Sequence, residues 1–312
     1  MNFDALATWW LPLAVLGHLC NGVAFIIDKV LLHQTFQRPG TYVILIGGIS
    51  GLGVLFLPFV HVNASLSTYA LMFGFGALFV LALWAFFTAL QRSEASRVVP
   101  IVGALIPIFT FLGSTILLHE DWRFHEVIGF CLLVLATVLL TSDGRGKRGP
   151  DRRTLWFACL AAVVFAAASL CGKAAYLRLD ALSVFVLSRF GGVAAALFVI
   201  AVDRKAWQEV KKVFIHKRLP DSRAKKIPVQ LVLFGQALGS FGFLCVNAAL
   251  AFGSAAIVNA LQATQYAAIV LVAWIGGSRL RKMLQEEWSP RTAVLKGIAL
   301  LLVAGGLWFV AY

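Results

Sequence analysis

The residues able to do chemistry in this chain sit inside long apolar stretches. A polar side chain is costly there and tends to face a cavity or another helix rather than lipid. Asn259, Gln262, Gln265 and Tyr266 crowd amides and a hydroxyl into about two turns of one helix. Other stripes recur at helical spacing: His18, Asn21, Phe25 and Asp28; Gln236, Ser240, Phe243 and Asn247; Ser169, Lys173 and Tyr176. Trp84 and Thr88 stand one turn apart. Such groups can hydrogen-bond a polar molecule, or one another across helix contacts. The basic residues within apolar stretches are Lys29, Lys173, Arg189 and Lys296, and Asp28 is the acid among them. Lys296 opens its stretch and can snorkel to the interface. Arg189 lies about 10 Å in from the nearer end, at 1.5 Å per residue. A buried cation needs a counter-charge, and the candidates are Asp28, a backbone carbonyl or an anionic substrate. Arg189 and Lys173 are therefore the candidate holders of an anionic group. Asn247, Asn259, Gln262, Tyr266, Gln236, Asn21 and Trp84 are candidate substrate contacts, and Asp28 is the candidate for ion coupling.

Several chemistries have no residues to carry them. No HExxH, paired-carboxylate or Ser/His arrangement falls within the apolar stretches, so no catalytic residues are assigned and an enzyme is not expected. Cys20, Cys131, Cys159, Cys171 and Cys245 form no CxxC pair and read as small core side chains, with no metal site and no cofactor.

The elements that must position these residues follow from composition. Of 312 residues 60% are hydrophobic and 13% charged, with a mean hydropathy of +0.87, whereas a soluble domain carries about 25% charged residues. About ten runs are long enough to cross a bilayer as helices: 9–32, 42–59, 69–90, 98–118, 127–140, 155–177, 182–202, 229–252, 255–276 and 293–310. They are too long, and alternate too little, for a membrane β-barrel. Pro100 and Pro107 in the fourth run free backbone carbonyls and permit bending, beside Thr110 and Ser114. Glycine pairs such as Gly47 with Gly51, Gly235 with Gly239 and the Gly191-Gly192 doublet let helices approach closely.

The chain is one unit written twice. Leu117-Leu118-His119-Glu120-Asp121-Trp122 is echoed by Leu284-Gln285-Glu286-Glu287-Trp288. Ahead of the first comes Ala89-Leu90-Gln91-Arg92-Ser93-Glu94-Ala95-Ser96, and ahead of the second Ala249-Leu250-Ala251-Phe252-Gly253-Ser254-Ala255-Ala256. The predicted fold is all-α and integral to the membrane, about ten transmembrane helices as two inverted five-helix repeats. Residues 1–142 form the first repeat, 143–153 a basic linker and 154–312 the second repeat. The net charge of +13 is spread over short loops, which argues for membrane topology and against nucleic acid. All loop lysines and arginines except Arg123 and Arg178 follow odd-numbered spans. That bias places those loops in the cytoplasm and both termini outside. Within 203–228, Trp207, Val210 and Phe214 line one face among Lys205, Lys211 and Lys212, an amphipathic helix resting on anionic lipid.

The acidic turn after the fourth helix of a five-helix unit, the Ala-Leu junction before it and the duplication resemble the drug/metabolite transporter superfamily, EamA-type branch. The resemblance covers nearly the whole chain. It implies a ten-helix secondary transporter whose central cavity is formed mainly by helices one, three, four, six, eight and nine. Where relatives commonly carry glycine before the acidic turn, this chain has His119 and Gln285. Relatives of this size are usually drawn with both termini in the cytoplasm, opposite to the charge bias. The expected function is alternating-access transport of a small polar metabolite, anionic ones included, by a monomer or homodimer in a bacterial-type inner membrane. The alternatives are a flippase for a lipid-linked polyprenyl-phosphate sugar, a proton-coupled exporter of organic cations, and, outside transport, a membrane-embedded enzyme or a scaffold subunit.

Overall fold

In hydrocarbon a backbone must satisfy its own hydrogen bonds, and the long apolar runs accordingly fold as helices. The computed structural model describes residues 9–35, 38–60, 62–93, 95–141, 151–215, 229–277 and 289–312; for some helical residues, Asp28, Lys29 and Gln236 among them, it describes the backbone alone. The helices are α1 (Trp10–Thr35), α2 (Pro39–Ser50), α3 (Leu66–Arg92), α4 (Ala95–Leu117), α5 (Phe124–Thr141), α6 (Arg152–Tyr176), α7 (Ala181–Val202), α8 (Arg204–Ile215), α9 (Val229–Phe252), α10 (Ala255–Ala260), α11 (Gln262–Ile275) and α12 (Pro290–Ala311). Among the described residues there is no strand, and nine spans are long and apolar enough to cross a membrane, with Ala237–Phe252 of α9 as a shorter apolar helix. Side chains such as Leu55, Phe59, Phe124 and Leu301 stand exposed on the outside, as lipid requires. The chain is an all-α integral membrane protein.

The second run departs from a plain α-helix. Past α2 it tightens into a 3₁₀ helix, Gly51–Phe59, where Gly51 and Gly53 are weak helix formers and Pro58 lacks an N–H. The acidic turn at Glu286 and Glu287, and the parts of the linker and basic loop at 143–150 and 216–228, lie outside the described residues.

Two compact units are present, each drawing on both halves of the chain: Met1–Leu32, Ala95–Pro150 and Ile227–Tyr312 in the first, His33–Glu94 and Asp151–Lys226 in the second. The second unit is built on backbone contact between α3 and α7. A Cβ at Gly76 would collide with the Ser188 carbonyl, and one at Gly191 with that of Phe73. At its edge α8 docks on α2, with Ala206 and Val210 buried among Val43, Ile44 and Val199. Thr41 Oγ1 donates to Glu209 Oε2 at 2.7 Å, and Arg38 lies 3.9 Å from Asp203. Ala206 thus joins Val210 on the buried face, with Trp207 packed only partly against it and Lys211 over the Trp207 ring at 5.3 Å. At the start of α6, the Thr154 hydroxyl bonded to the Asp151 side chain holds that carboxyl below the usual range.

In the first unit α1 and α9 meet at Gly17 and Gly242, where a Cβ on either would press on the other's carbonyl. Lys296, expected to reach the interface, is instead only 3% exposed. The acidic turn closes α4. Leu118 N and Glu120 N both donate to Ser114 O, at 3.1 and 3.2 Å, and His119 takes the left-handed conformation, φ 52°. This is the helix ending that glycine normally serves, because a Cβ is strained there. Trp122 Nε1 donates to Thr115 Oγ1 at 2.9 Å, and its ring packs on Phe111. Glu120 Oε2 accepts from Ser254 Oγ at 2.9 Å, which ties the end of α4 to the residue that opens α10.

Two substitutions check these features by thermal unfolding in detergent. His119→Gly should stabilise the protein by roughly 1 kcal/mol, the strain removed from a left-handed non-glycine residue; an unchanged or lowered midpoint would count against the strain. Gly191→Ala should destabilise it by about 1–3 kcal/mol through overpacking against backbone that cannot yield, whereas a neutral outcome would show that α3 and α7 can part.

Candidate functional site

The ninth span, Ala255–Ile275, is set apart by burial: 72% of it is buried inside the protein, against 44% or less for every other described span. It is also broken. α10 ends and α11 begins at Leu261, whose φ −62°, ψ −9° stays in the right-handed helical region but interrupts the α-helix for one residue. Leu261 O accepts from Thr264 N at 2.9 Å and from Thr264 Oγ1 at 2.7 Å, so a hydroxyl covers one carbonyl at the break. Neither proline nor glycine causes the interruption. The polar residues Asn259 and Gln262 flank it.

A second carbonyl is covered from α1. His18 Nε2 lies 2.8 Å from Val258 O. A carbonyl oxygen can only accept, so Nε2 carries the hydrogen, and in the neutral ring Nδ1 is the acceptor. His18 is 6% exposed, and its Nδ1 is buried without a hydrogen-bond partner. The Gln265 side chain lies beside the ring. One turn along α1, a Cβ at Gly22 would press on Gln265. His18 therefore touches both pieces of the broken span.

The predicted amides find partners in this unit. Thr110 donates its one hydroxyl hydrogen to Ile106 O at 2.8 Å. Its oxygen can then only accept, and it accepts from Asn259 Nδ2 at 2.9 Å. Gln262 Nε2 donates to Tyr266 OH at 3.0 Å, and that hydroxyl sits over Gly103 of α4, where a Cβ would stand 3.0 Å away. Asn247 is buried and donates to Phe243 O of its own helix at 2.7 Å. Asn21 Oδ1 lies against Gly242. Asp28 and Gln236 stand on α1 and α9, with only their backbones described.

The remaining predicted residues belong to the second unit. Arg189 Nη2 donates to Ser188 Oγ at 2.9 Å and Nε to Phe185 O at 3.2 Å, and the guanidinium covers the Phe185 ring at 4.4 Å. Lys173 is buried in the last turn of α6. Trp84 packs on the apolar cluster around Val43 and Val80. Sequence reasoning passed over the pairing of Ser254 with Glu120 and the bridging place of His18. The spacing of His18 to Asn21 was the one available signal for the second. Among the described residues no three His, Cys, Asp or Glu side chains gather as a metal site.

Comparison with known proteins follows the same lines. No curated protein matches the chain by sequence. A solved crystal structure of a protein 19% identical shares the fold, with a TM-score of 0.63 over 97% of this chain and 95% of that one. Residues 8–142 match the EamA-like transporter family. That first part of the chain is thus similar to EamA-like transporters, and the apolar helices make the chain a multi-pass membrane protein.

Proposed function

We propose that this protein is a secondary transporter of a small polar metabolite, working by alternating access, with two inverted five-helix repeats as its moving plan. The observation that carries this reading is the broken ninth span, the most buried of the described spans, with Asn259 and Gln262 on either side of the break and Tyr266 one turn on. Membrane carriers commonly place cargo at discontinuous helices, where unwound backbone and nearby polar side chains can be tolerated because they line a cavity. The hydrogen bonds of Asn259 to Thr110 and of Gln262 to Tyr266 hold those amides in place before cargo arrives. Asn21, Gln236 and Asn247 are proposed as further contacts from α1 and α9, and Asp28 as a candidate for ion coupling.

A second reading, an anionic cargo, rests on Arg189 and Lys173, cations held within apolar helices of the second unit. A lipid-linked sugar phosphate would draw on the same charges. The charge bias of the loops supports termini on the outside and, with the family, a plasma-membrane location.

The test uses protein reconstituted in liposomes with a panel of amino acids, sugars, nucleotide sugars, phosphorylated sugars and organic cations. Uptake or exchange of one class should fall about tenfold in Gln262→Ala, the size of one lost hydrogen bond of about 1.4 kcal/mol, while the unfolding midpoint moves little. A substrate whose transport ignores Asn259 and Gln262 would sink the assignment of this site. An anionic substrate lost in Arg189→Ala would establish the second reading.

A further inference from the structure

The imidazole of His18 holds the one buried nitrogen that the described structure leaves without a hydrogen-bond partner. Its other nitrogen is fixed to the broken span through Val258 O. Leaving a buried acceptor unpaired costs about 1–3 kcal/mol. The cost falls on a side chain that touches both α10, through Val258, and α11, through Gln265. Serine or threonine in that place could bond a carbonyl without adding a titratable group, and imidazole is the side chain whose protonation changes within about pH 5–8 in water.

The geometry points to His18 as the proton-coupling residue of the transporter, with Nδ1 taking a proton from water while Nε2 keeps its bond to Val258 O. The step adds one proton and one positive charge. Nδ1 changes from acceptor to donor, and Gln265 must then turn its amide oxygen toward the ring. The proton thereby sets the relation between the two pieces of the ninth span. This inference rests on the transport reading, since a coupled proton needs a carrier cycle to drive.

The groups that could compete for the proton are few on the helices packed around His18. On α1 they are Cys20 and, ten residues on, Asp28 with Lys29. α9 presents Cys245, which faces Cys20. On α11 the group is Tyr266, and α10 has no charged residue. Three more helices pack against the broken span: α4, with Arg97 near its start and Glu120 just past its end; α5, with His125 and Glu126 in its first turn; and α12, with Arg291 near its start and the buried Lys296. Glu120 is tied to the start of α10. Its Oε2 accepts from Ser254, one turn before Val258, and its Oε1 is buried without a partner. It can serve as counter-charge to a protonated His18, and it is also the chief rival for the proton.

The test is charge displacement on a solid-supported membrane, using proteoliposomes of the full chain without cargo and pH jumps across about pH 8 to 4, the range of imidazole in water and the acid side of it. The wild-type protein should give a transient that titrates. His18→Gln, which keeps a donor for Val258 O, should bring the transient down to that of protein-free liposomes. Gln265→Glu, which sets a carboxylate beside the ring, should move the titration upward by about one pH unit or more. Glu120→Gln, which removes the counter-charge, should move the titration toward lower pH without abolishing it. A transient that persists in His18→Gln, or one abolished in Asp28→Asn, the other candidate for ion coupling, would overturn the proposal; so would the absence of any pH-dependent transient in the wild type, the result expected if Nδ1 only holds an ordered water. Thermal unfolding of each variant separates loss of proton binding from loss of fold. The readout needs no cargo, so a failed uptake panel with an intact His18 signal would count against the cargo site alone.

Discussion

A bilayer offers no water to a peptide group, and a broken transmembrane helix is possible only where other groups cover the carbonyls it releases. The ninth span meets this condition at Leu261. Thr264 closes on the carbonyl of Leu261 from within the span, and His18 closes on that of Val258 from α1. The position of α1 depends in turn on Gly17 and Gly242, which bring it against α9. The polar stripe on α1, the amides around the break and the close glycine contacts are parts of one solution to one backbone problem.

This also explains why the site residues are so fully engaged with one another. Asn259 spends its donor on a threonine whose own hydrogen is already given away, and Asn247 spends its donor on a carbonyl of its own helix. Amides committed in this way hold fixed orientations. Arg189 follows a similar pattern in the second unit, with Ser188, the Phe185 carbonyl and the Phe185 ring around its guanidinium.

Much of this was legible in the chain itself. The membrane class and the places of the helices followed from apolar runs of sufficient length, since lipid leaves few backbone alternatives. The density of polar residues between Asn259 and Tyr266 singled out the span that the structure buries most, Ala255–Ile275. Its interruption did not show, because a break without proline or glycine comes from side chains of other helices, and their contacts are long-range. For the same reason the carboxylate of Glu120 could be singled out by its place in the repeat while its partner Ser254 could not. The 3₁₀ segment was present as Gly51, Gly53 and Pro58, residues that weaken an α-helix without naming the form that replaces it. On α8 the period of Trp207, Val210 and Phe214 marked an amphipathic helix, but the short side chain of Ala206 allowed the close approach to α2.

The hydrogen bond between Glu120 and Ser254 joins residues 134 positions apart, and that between His18 and Val258 spans 240. At a synthesis rate of about 5–20 residues per second, the first of these intervals lasts on the order of ten seconds. Through that time α4 stands in the membrane with its terminal carboxylate unmatched, and α1 waits longer still for the carbonyl that its imidazole will cover. Assembly of the first unit is therefore paced by the ribosome. The bonds that tie the ninth span to α1 and α4 close late, long after the helices on their other side have been made.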